Sequence, residues 1–172
     1  KIYATDPVYG VSAMDFMTPI DVDNPKLRRF ERAGGKMIIY HGQSDPVFSV
    51  NDTIDWYEAL TANHRGDAAH FVRLFVIPNM NHCVGGCATD QFDALTALVE
   101  WVEDGEAPDL LIASLDPENP EIPGDWSDSR TRPLCVWPEI AVFDGGDPEA
   151  YDSFHCEVPS NDEPWPPYCP HH

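Results

Sequence analysis

The chain has 172 residues, of which 42% are hydrophobic and 11% aromatic, and this is enough for one ordinary domain with a buried core. Its formal net charge is −20 at pH 7, and a surface this negative argues against binding to nucleic acids or to anionic membranes. The sequence holds no run of about 18 apolar residues, so it predicts no membrane-spanning helix.

The ends of the chain lead us to expect a mature or excised segment of a longer protein. The first residues, KIYATDPVYG, contain neither an initiator methionine nor the apolar stretch of a signal peptide. At the other end, His171 and His172 are interpreted as tag remnants. We therefore exclude these two histidines from the chemistry considered below.

The first predicted elements are a short helix and a buried strand. Residues 1–34 form a lead-in loop with a short helix at 27–33, and Gly34 and Gly35 end that helix. The run KMIIYHG, residues 36–42, is apolar and rich in strand-forming residues. It predicts a strand that is buried in a sheet.

A helix, a second strand and another helix follow in that order. Residues 49–63 predict a helix capped by Ser49 or Asn51, and HFVRLFVIP, residues 70–78, predicts a second buried strand. TDQFDALTALVEWVEDG, residues 89–105, predicts the second helix. We expect an apolar stripe of each helix to face the core, consisting of Ile54, Tyr57 and Leu60 or Thr61 in the first and of Phe92, Leu95, Val99 and Val102 in the second.

The order strand, helix, strand, helix predicts an α/β fold in which parallel strands are joined by crossover helices. Two strands alone bury little, so we expect residues 35–108 to form one edge of a larger sheet. After Pro108 prolines accumulate and helical periodicity disappears. Residues 109–172 are therefore interpreted as an irregular, acidic, disulfide-stapled tail.

Two loops that follow the carboxyl ends of the strands carry the candidate catalytic residues. HGQSDPVFS contains Asp45 and NMNHCVGG contains His82, and active sites of open α/β sheets assemble at this edge. Taken singly, Asp45 reads as a turn residue and His82 as a surface histidine. Together, in successive loops, they predict the acid that orients a histidine and the histidine that acts as general base, in the order found in α/β-hydrolases.

The nucleophile of such a triad is not evident in the chain. Ser12 in GVSAM lacks both the final glycine and the preceding strand of a nucleophile elbow, and Ser44 lies in the same turn as Asp45. Cys83 adjoins His82, so their side chains are expected to diverge. HCVGGC with the terminal histidines lacks the second ligand pair of a zinc site, so no metal is predicted.

Four stretches resemble the C-terminal part of the tannase and feruloyl esterase family over residues 25–156: AGGKMIIYHGQSDPVFS, FVRLFVIPNMNHCVGG, FDALTALVEWVEDGEAPD and RTRPLCVWPEIAVF with FHC. The resemblance implies an α/β-hydrolase with a lid domain inserted before this region and a Ser-Asp-His triad. Asp45 would be the acid and His82 the base. Cys83 would form a disulfide with a cysteine that precedes the serine in the N-terminal part of the same enzyme, outside this chain.

The resemblance also implies further chemistry. The substrate would be an aromatic-acid ester, and a calcium site in the family's lid would lie outside this segment, which itself needs no cofactor. Of the five cysteines, Cys135 and Cys156 would pair, which suits a secreted or periplasmic protein. The pairing of Cys87 and Cys169 stays open, because Cys83 could bond to either of them or stay reduced.

Two interpretations of function follow. In the first, the chain is the C-terminal segment of a serine carboxylic ester hydrolase and supplies Asp45 and His82 to a serine elsewhere. In the second, it is a non-catalytic, disulfide-stapled fragment or binding module without activity of its own. In either case an excised sheet edge exposes apolar strand faces, so we expect self-association of the isolated chain.

Overall fold

The structure is a computed structural model that describes residues 4–17 and 25–160, so Cys169, His171 and His172 lie outside the described residues. The helices are α1 (Ala13–Met17), α2 (Arg28–Arg32), α3 (Val50–Asn63) and α4 (Ala94–Glu103). The strands are β1 (Met37–Gly42), β2 (Val72–Ile77), β3 (Leu110–Ser114), β4 (Thr131–Cys135), β5 (Ile140–Phe143) and β6 (Phe154–Glu157). In the described part of the chain, no helix has the length and apolar character needed to cross a membrane.

A parallel pair of strands lies at the centre of the molecule. β1 and β2 pair from Met37 opposite Val72 to Gly42 opposite Ile77, and α3 connects them. Side chains of β2 alternate between two faces, because successive residues of a strand point in opposite directions. The pair thereby divides the core into two clusters.

The first cluster lies between β2 and α3, and the second lies on the opposite face of β2. Val72, Leu74 and Val76 point into the first cluster, where they meet the inner face of α3, formed by Ile54, Tyr57 and Leu60 as predicted. The second cluster consists of Phe75, Ile77, Met80, Ala88, Leu111, Ala113, Leu134 and Val136. Ser49 occupies the position before α3, but among the described residues its side chain caps no backbone amide of the helix.

The predicted inner stripe of α4 is wrong. Leu95, Val99 and Val102 have 72%, 43% and 59% of their surfaces exposed, whereas Trp101 is buried. Phe92 alone of the predicted stripe packs against the second cluster, together with Ala94 and Ala97. The helix therefore exposes Leu95, Val99 and Val102 and turns Ala94, Ala97 and Trp101 inward.

The prolines suggested an irregular tail, but the described part of it, residues 109–160, contains four strands. β3 pairs antiparallel with β4, and β5 pairs antiparallel with β6. Leu111 and Ala113 of β3 are buried while Leu110 and Ile112 are exposed, so the strand alternates in burial although every one of these residues is apolar. This uniform apolar character, together with the proline within β4, hides the two-residue period that marks a strand.

The tail is joined to the central sheet and to itself. Val136, just after β4, forms an antiparallel bridge with Phe75, and the amide of Trp137 donates to the carbonyl of Leu74 at 2.8 Å. The expected disulfide between Cys135 and Cys156 is present and connects β4 to β6, with the two Cα atoms 5.7 Å apart. The tail therefore forms one wall of the second core cluster.

Candidate active site

Asp45 and His82 are brought together by the register of the central strands. Gly42 at the end of β1 lies opposite Ile77 at the end of β2, so the two following loops leave the same edge of the sheet. His82 Nδ1 lies 2.8 Å from Asp45 Oδ2. The two residues that the sequence singled out, 37 positions apart, thus form a hydrogen-bonded pair.

The two carboxylate oxygens of Asp45 have separate partners. Oδ1 accepts the backbone amides of Val47 at 2.7 Å and of Phe48 at 3.0 Å, which is the turn arrangement expected of an aspartate before a proline. Oδ2 is left to face His82. The turn therefore holds the carboxylate in place while one oxygen remains available to orient the imidazole.

The environment of Asp45 keeps its carboxyl group ionised. Desolvation raises the pKa, since only 4% of the side chain is exposed, but the hydrogen bond from His82 and those from Phe48 and Val47 outweigh it. Together with the charge of His82 they hold the pKa well below its usual range. An ionised Asp45 can only accept, so His82 carries its proton on Nδ1 and turns Nε2 away from the acid.

A second histidine contacts the same carboxylate, and the sequence analysis missed it. His41 Nε2 lies 3.3 Å from Asp45 Oδ2 and 3.3 Å from the carbonyl oxygen of Phe48, two groups that only accept. Its Nδ1 lies 2.8 Å from Thr53 Oγ1 on α3. His41 therefore carries its proton on Nε2, and Thr53 donates to Nδ1. The only available signal was the position of His41 on β1, one residue before its end.

The two loops touch each other closely at Gly42. A Cβ atom at this position would collide with the backbone carbonyls of Met80 and Asn81. The amide of Ser44 donates to the carbonyl of Met80 at 3.0 Å, which ties the loops together. Glycine is thus required at the end of β1 so that the acid loop and the histidine loop can lie against each other.

The pair opens onto a cleft of about 550 Å³. The side chain of His82 is 44% exposed, and the Phe48 ring lies 5.5 Å from its imidazole, centroid to centroid. The cleft is also lined by aromatic and polar side chains and by one thiol, namely Tyr40, Trp56, Asp52, Thr53 and Cys83. This is a concave site with largely apolar walls and a partly exposed histidine in its lining.

The structure also shows what the candidate nucleophiles do. Ser12 is buried and caps α1: its hydroxyl donates to Asp15 Oδ2 at 2.6 Å and accepts the amide of Asp15 at 3.0 Å. Cys83 is a free, exposed thiol in the described structure and is not bonded to Cys87. Within residues 4–17 and 25–160, His82 Nε2 has no hydrogen-bond partner.

The described part of the chain holds no cluster of three or more histidine, cysteine, aspartate or glutamate side chains that is suited to a metal ion. The hydrogen bond between Asp45 and His82 offers acid–base chemistry. A carboxylate that orients an imidazole whose second nitrogen faces a cleft is the proton-transfer half of a hydrolase triad.

Comparison with known proteins places this site in a family. The model of the family described as tannase and feruloyl esterase matches residues 5–157. Mono(2-hydroxyethyl) terephthalate hydrolase of Piscinibacter sakaiensis is 48% identical over 168 residues, which cover 92% of this chain and 25% of that protein. A probable feruloyl esterase of Arthroderma benhamiae is 31% identical over 140 residues, which cover 77% of this chain and 25% of that protein.

The fold has a matching solved structure as well. The crystal structure of an esterase from Aspergillus oryzae superposes with a TM-score of 0.65 at 26% identity, covering 77% of this chain and 29% of that one. The fold is thus of the α/β-hydrolase type. The chain belongs to the tannase and feruloyl esterase family, as its motifs indicated, and it spans about a quarter of the length of the curated relatives it matches.

Proposed function

We propose that this chain supplies the acid and the general base of a serine carboxylic ester hydrolase, with Asp45 and His82 in these roles. The observation that carries the proposal is the 2.8 Å hydrogen bond between His82 Nδ1 and Asp45 Oδ2 at the edge of the cleft. Because Nε2 of His82 has no hydrogen-bond partner within the described residues, a hydroxyl from outside them can donate a hydrogen bond to it. The nucleophilic serine lies in the part of the enzyme that precedes this chain.

The mechanism follows from the geometry of the pair. His82 Nε2 removes the proton of the serine hydroxyl as the oxygen attacks the ester carbonyl, and Asp45 stabilises the imidazolium that forms. His82 then returns the proton to the departing alcohol, which leaves an acyl-enzyme. In the second half His82 takes a proton from water, the hydroxide attacks the acyl carbon, and the serine recovers its proton as the acid leaves.

An aromatic-acid ester is the substrate class that best fits the cleft. Phe48 lies against His82, and Tyr40 and Trp56 add aromatic surface to the walls. A ring of the acyl group could stack on such side chains. The relatives are named as a terephthalate monoester hydrolase and as feruloyl esterases, names that refer to esters of aromatic acids, and this supports the same class here.

The N-terminal part of the same enzyme is the proposed partner. β1 has no neighbour on its outer edge among the described residues, and α4 exposes Leu95, Val99 and Val102. Strands and helices of that part would cover both features. Cys83, whose thiol is free and exposed, would form a disulfide with it, and the disulfide between Cys135 and Cys156 suits a secreted or periplasmic enzyme.

Intact mass of protein from its native source, measured without and then with a reducing agent, tests the partner and the role of Cys83. Release of a second chain by reduction, together with hydrolysis of methyl ferulate or of mono(2-hydroxyethyl) terephthalate by the unreduced material, is the expected result. If Cys83 and its partner lie in one continuous polypeptide, reduction releases nothing. Digestion without reduction should then yield Cys83 linked to a serine-motif peptide.

Activity of the material decides between the two functions. Labelling of a serine by a fluorophosphonate, which depends on Asp45 and His82, supports the hydrolase. A non-catalytic disulfide-stapled module is the second candidate, and the observation in its favour is that His82 Nε2 meets no nucleophile among the described residues. Protein that contains this chain and the serine motif, but that neither reacts with the fluorophosphonate nor hydrolyses either ester, would establish this second candidate instead.

A further inference from the structure

The tight turn that presents His82 has an unusual backbone. Residues 81–86, the histidine turn, are closed by the amide of Asn81, which donates to the carbonyl of Gly85 at 3.0 Å. Cys83, Gly85 and Gly86 all have positive φ angles, of 69°, 81° and 79°. A side chain at Gly86 would also collide with the carbonyl of Asn79. Glycine adopts such angles freely, but Cys83 carries a side chain at one, so its surroundings must hold this part of the turn in shape.

The connection between β3 and β4 provides that hold. Glu121 Oε2 accepts the amide of Gly86 at 2.8 Å and lies 3.4 Å from Asn81 Nδ2. Asn119 Nδ2 donates to the carbonyl of Gly86 at 2.8 Å, and Asn119 Oδ1 accepts the amide of Glu121 at 3.0 Å. One carboxylate oxygen thus reaches both ends of the histidine turn, and Asn119 fixes the segment from which it reaches.

We propose that Glu121 is a positioning residue for His82, acting through the histidine turn. The inference rests on the proposed function, because it concerns the base of that same site. Glu121 bridges the residues before and after His82 and Cys83, so it sets the separation of the two ends of the turn. This separation determines how far the imidazole projects toward Asp45 and the cleft.

The role of Glu121 is separable from general stability. Glu121 is exposed and belongs to neither core cluster, so truncating its side chain removes little packing. The base of the histidine turn has a second support, since Asp90 Oδ2 accepts the amide of Gly85 at 2.7 Å. Without Glu121 we expect the turn to remain but its tip to shift, and a misplacement of about 1 Å costs on the order of 10²-fold in rate.

The test compares Glu121→Ala with two reference variants. Glu121→Gln keeps an oxygen that can accept the amide of Gly86, so this variant should retain most of the wild-type behaviour. Glu118→Ala removes another exposed carboxylate of the same connection whose side chain makes no hydrogen bond within the described residues, and it should behave as wild type. If Glu121→Ala does not fold, Asn119→Ala takes its place, because it loosens the same contact.

Two measurements report on the variants. In the enzyme that carries the nucleophilic serine, Glu121→Ala should lower kcat for methyl ferulate about 10- to 100-fold while KM changes less than twofold. In the isolated chain, the downfield proton resonance of His82 Nδ1–H, bonded to Asp45, should broaden or shift in Glu121→Ala. It should stay in place in Glu121→Gln and Glu118→Ala.

The outcomes separate this proposal from the proposed function. A Glu121→Ala enzyme with the kcat of wild type and an unshifted His82 resonance would overturn the positioning role and leave the hydrolase intact. Equal losses in Glu121→Ala and Glu118→Ala would also overturn it. If the wild type itself hydrolyses no ester, the proposed function fails. The resonance of His82 then decides alone whether Glu121 positions the turn.

Discussion

At the residue scale, the site depends on how a single carboxylate divides its oxygens. Oδ1 of Asp45 satisfies two amides of its own loop, and Oδ2 serves His82 and, at a longer distance, His41. The first oxygen makes the residue a turn former and the second makes it a candidate acid. Both interpretations of Asp45 that the sequence offered are therefore present in one side chain.

Replacing Asp45 by asparagine should separate these two tasks. The amide oxygen can still accept from Val47 and Phe48, so we expect the melting temperature to change little. The other terminus is then an NH2 group, which only donates and so cannot accept the Nδ1 proton of His82, and kcat of the serine-bearing enzyme should fall by about 10⁴-fold. Steady-state kinetics with methyl ferulate measures the effect.

Asp52→Asn is the matched control for Asp45→Asn, because Asp52 is an exposed carboxylate that lines the same cleft. It should leave kcat within about twofold of wild type, the usual range for a surface change away from the reacting atoms. A loss in Asp52→Asn as large as in Asp45→Asn would contradict the assignment of Asp45 as the acid.

At the scale of elements, the disulfide between Cys135 and Cys156 and the ion pair between Arg130 and Glu149 both stabilise the tail. The disulfide joins β4 to β6 across 21 residues, and a closed loop of this size stabilises a fold by about 3 kcal/mol in the chain-entropy model. The double variant Cys135→Ser with Cys156→Ser should lose about that much free energy of unfolding in urea titrations. Cys83→Ser, which removes the free exposed thiol, should lose none. Equal urea midpoints for the double variant and for Cys83→Ser would contradict the stabilising role of the disulfide.

The ion pair predicts how stability depends on pH. Arg130 binds Glu149 through two nitrogens, one of them 2.6 Å from Oε2, and this hydrogen bonding holds the Glu149 pKa below its usual range against the effect of desolvation. A lowered folded-state pKa means that the stabilisation is complete above the unfolded pKa of about 4.3 and is lost as the pH falls through the folded value.

Glu149→Gln measures this dependence. The difference in unfolding free energy between wild type and Glu149→Gln should be largest at pH 7 and should shrink at pH 3, where the carboxylate is being protonated in both states. Glu118→Gln, at a carboxylate without a hydrogen bond in the described structure, should show no such trend. A difference that is the same at both pH values would exclude the ion pair as its source.

The elements differ in how far the sequence predicts them. β1 and β2 are predicted by short continuous apolar runs and α3 by its apolar stripe, and the structure has a strand or a helix at each of these places. β2 is buried on both faces, and α3 buries the stripe in the first core cluster. The aliphatic stripe of α4 was assigned to the wrong side, since periodicity shows that a helix is amphipathic but not which surface of the chain its apolar face meets. β3 and β4 were missed because apolar residues on both faces and a proline conceal their alternation.

At the scale of the whole molecule, the described part of the chain exposes apolar side chains and an unpaired strand edge. Leu95, Val99 and Val102 form an exposed stripe on α4, and β1 has an open edge among the described residues. An isolated chain with such surfaces should self-associate. Light scattering after size exclusion should give a mass above the 19.2 kDa of a single chain. This mass should rise with the protein concentration.

Polar substitution of the stripe tests the cause of self-association. Leu95→Gln, Val99→Thr and Val102→Thr together should shift the mass toward that of one chain without changing the helical circular dichroism. Val158→Thr changes a valine that is equally exposed but lies outside α4, and it should leave the mass unaltered. A wild-type chain that is monomeric at every concentration would contradict the prediction.

The site was predictable only in part, for a physical reason. Asp45 and His82 could be found because each follows a recognisable strand and parallel strands end at a common edge. His41 and Glu121 could not, since their importance lies in contacts across the fold: His41 touches α3 through Thr53, and Glu121 is 35 residues from Gly86. Local sequence patterns do not predict contacts between residues that are far apart in the chain.

The register of β1 and β2 has a consequence for how this family can vary in length. Asp45 lies three residues beyond Gly42 and His82 five beyond Ile77, and those two strand ends are opposite each other. Insertions or deletions within either short span would move one side chain along the sheet edge and away from the other. In the exposed turn at residues 65–67, where the chain turns back from α3 on the opposite side, added residues would leave the pair undisturbed. We expect natural length variation to be confined accordingly.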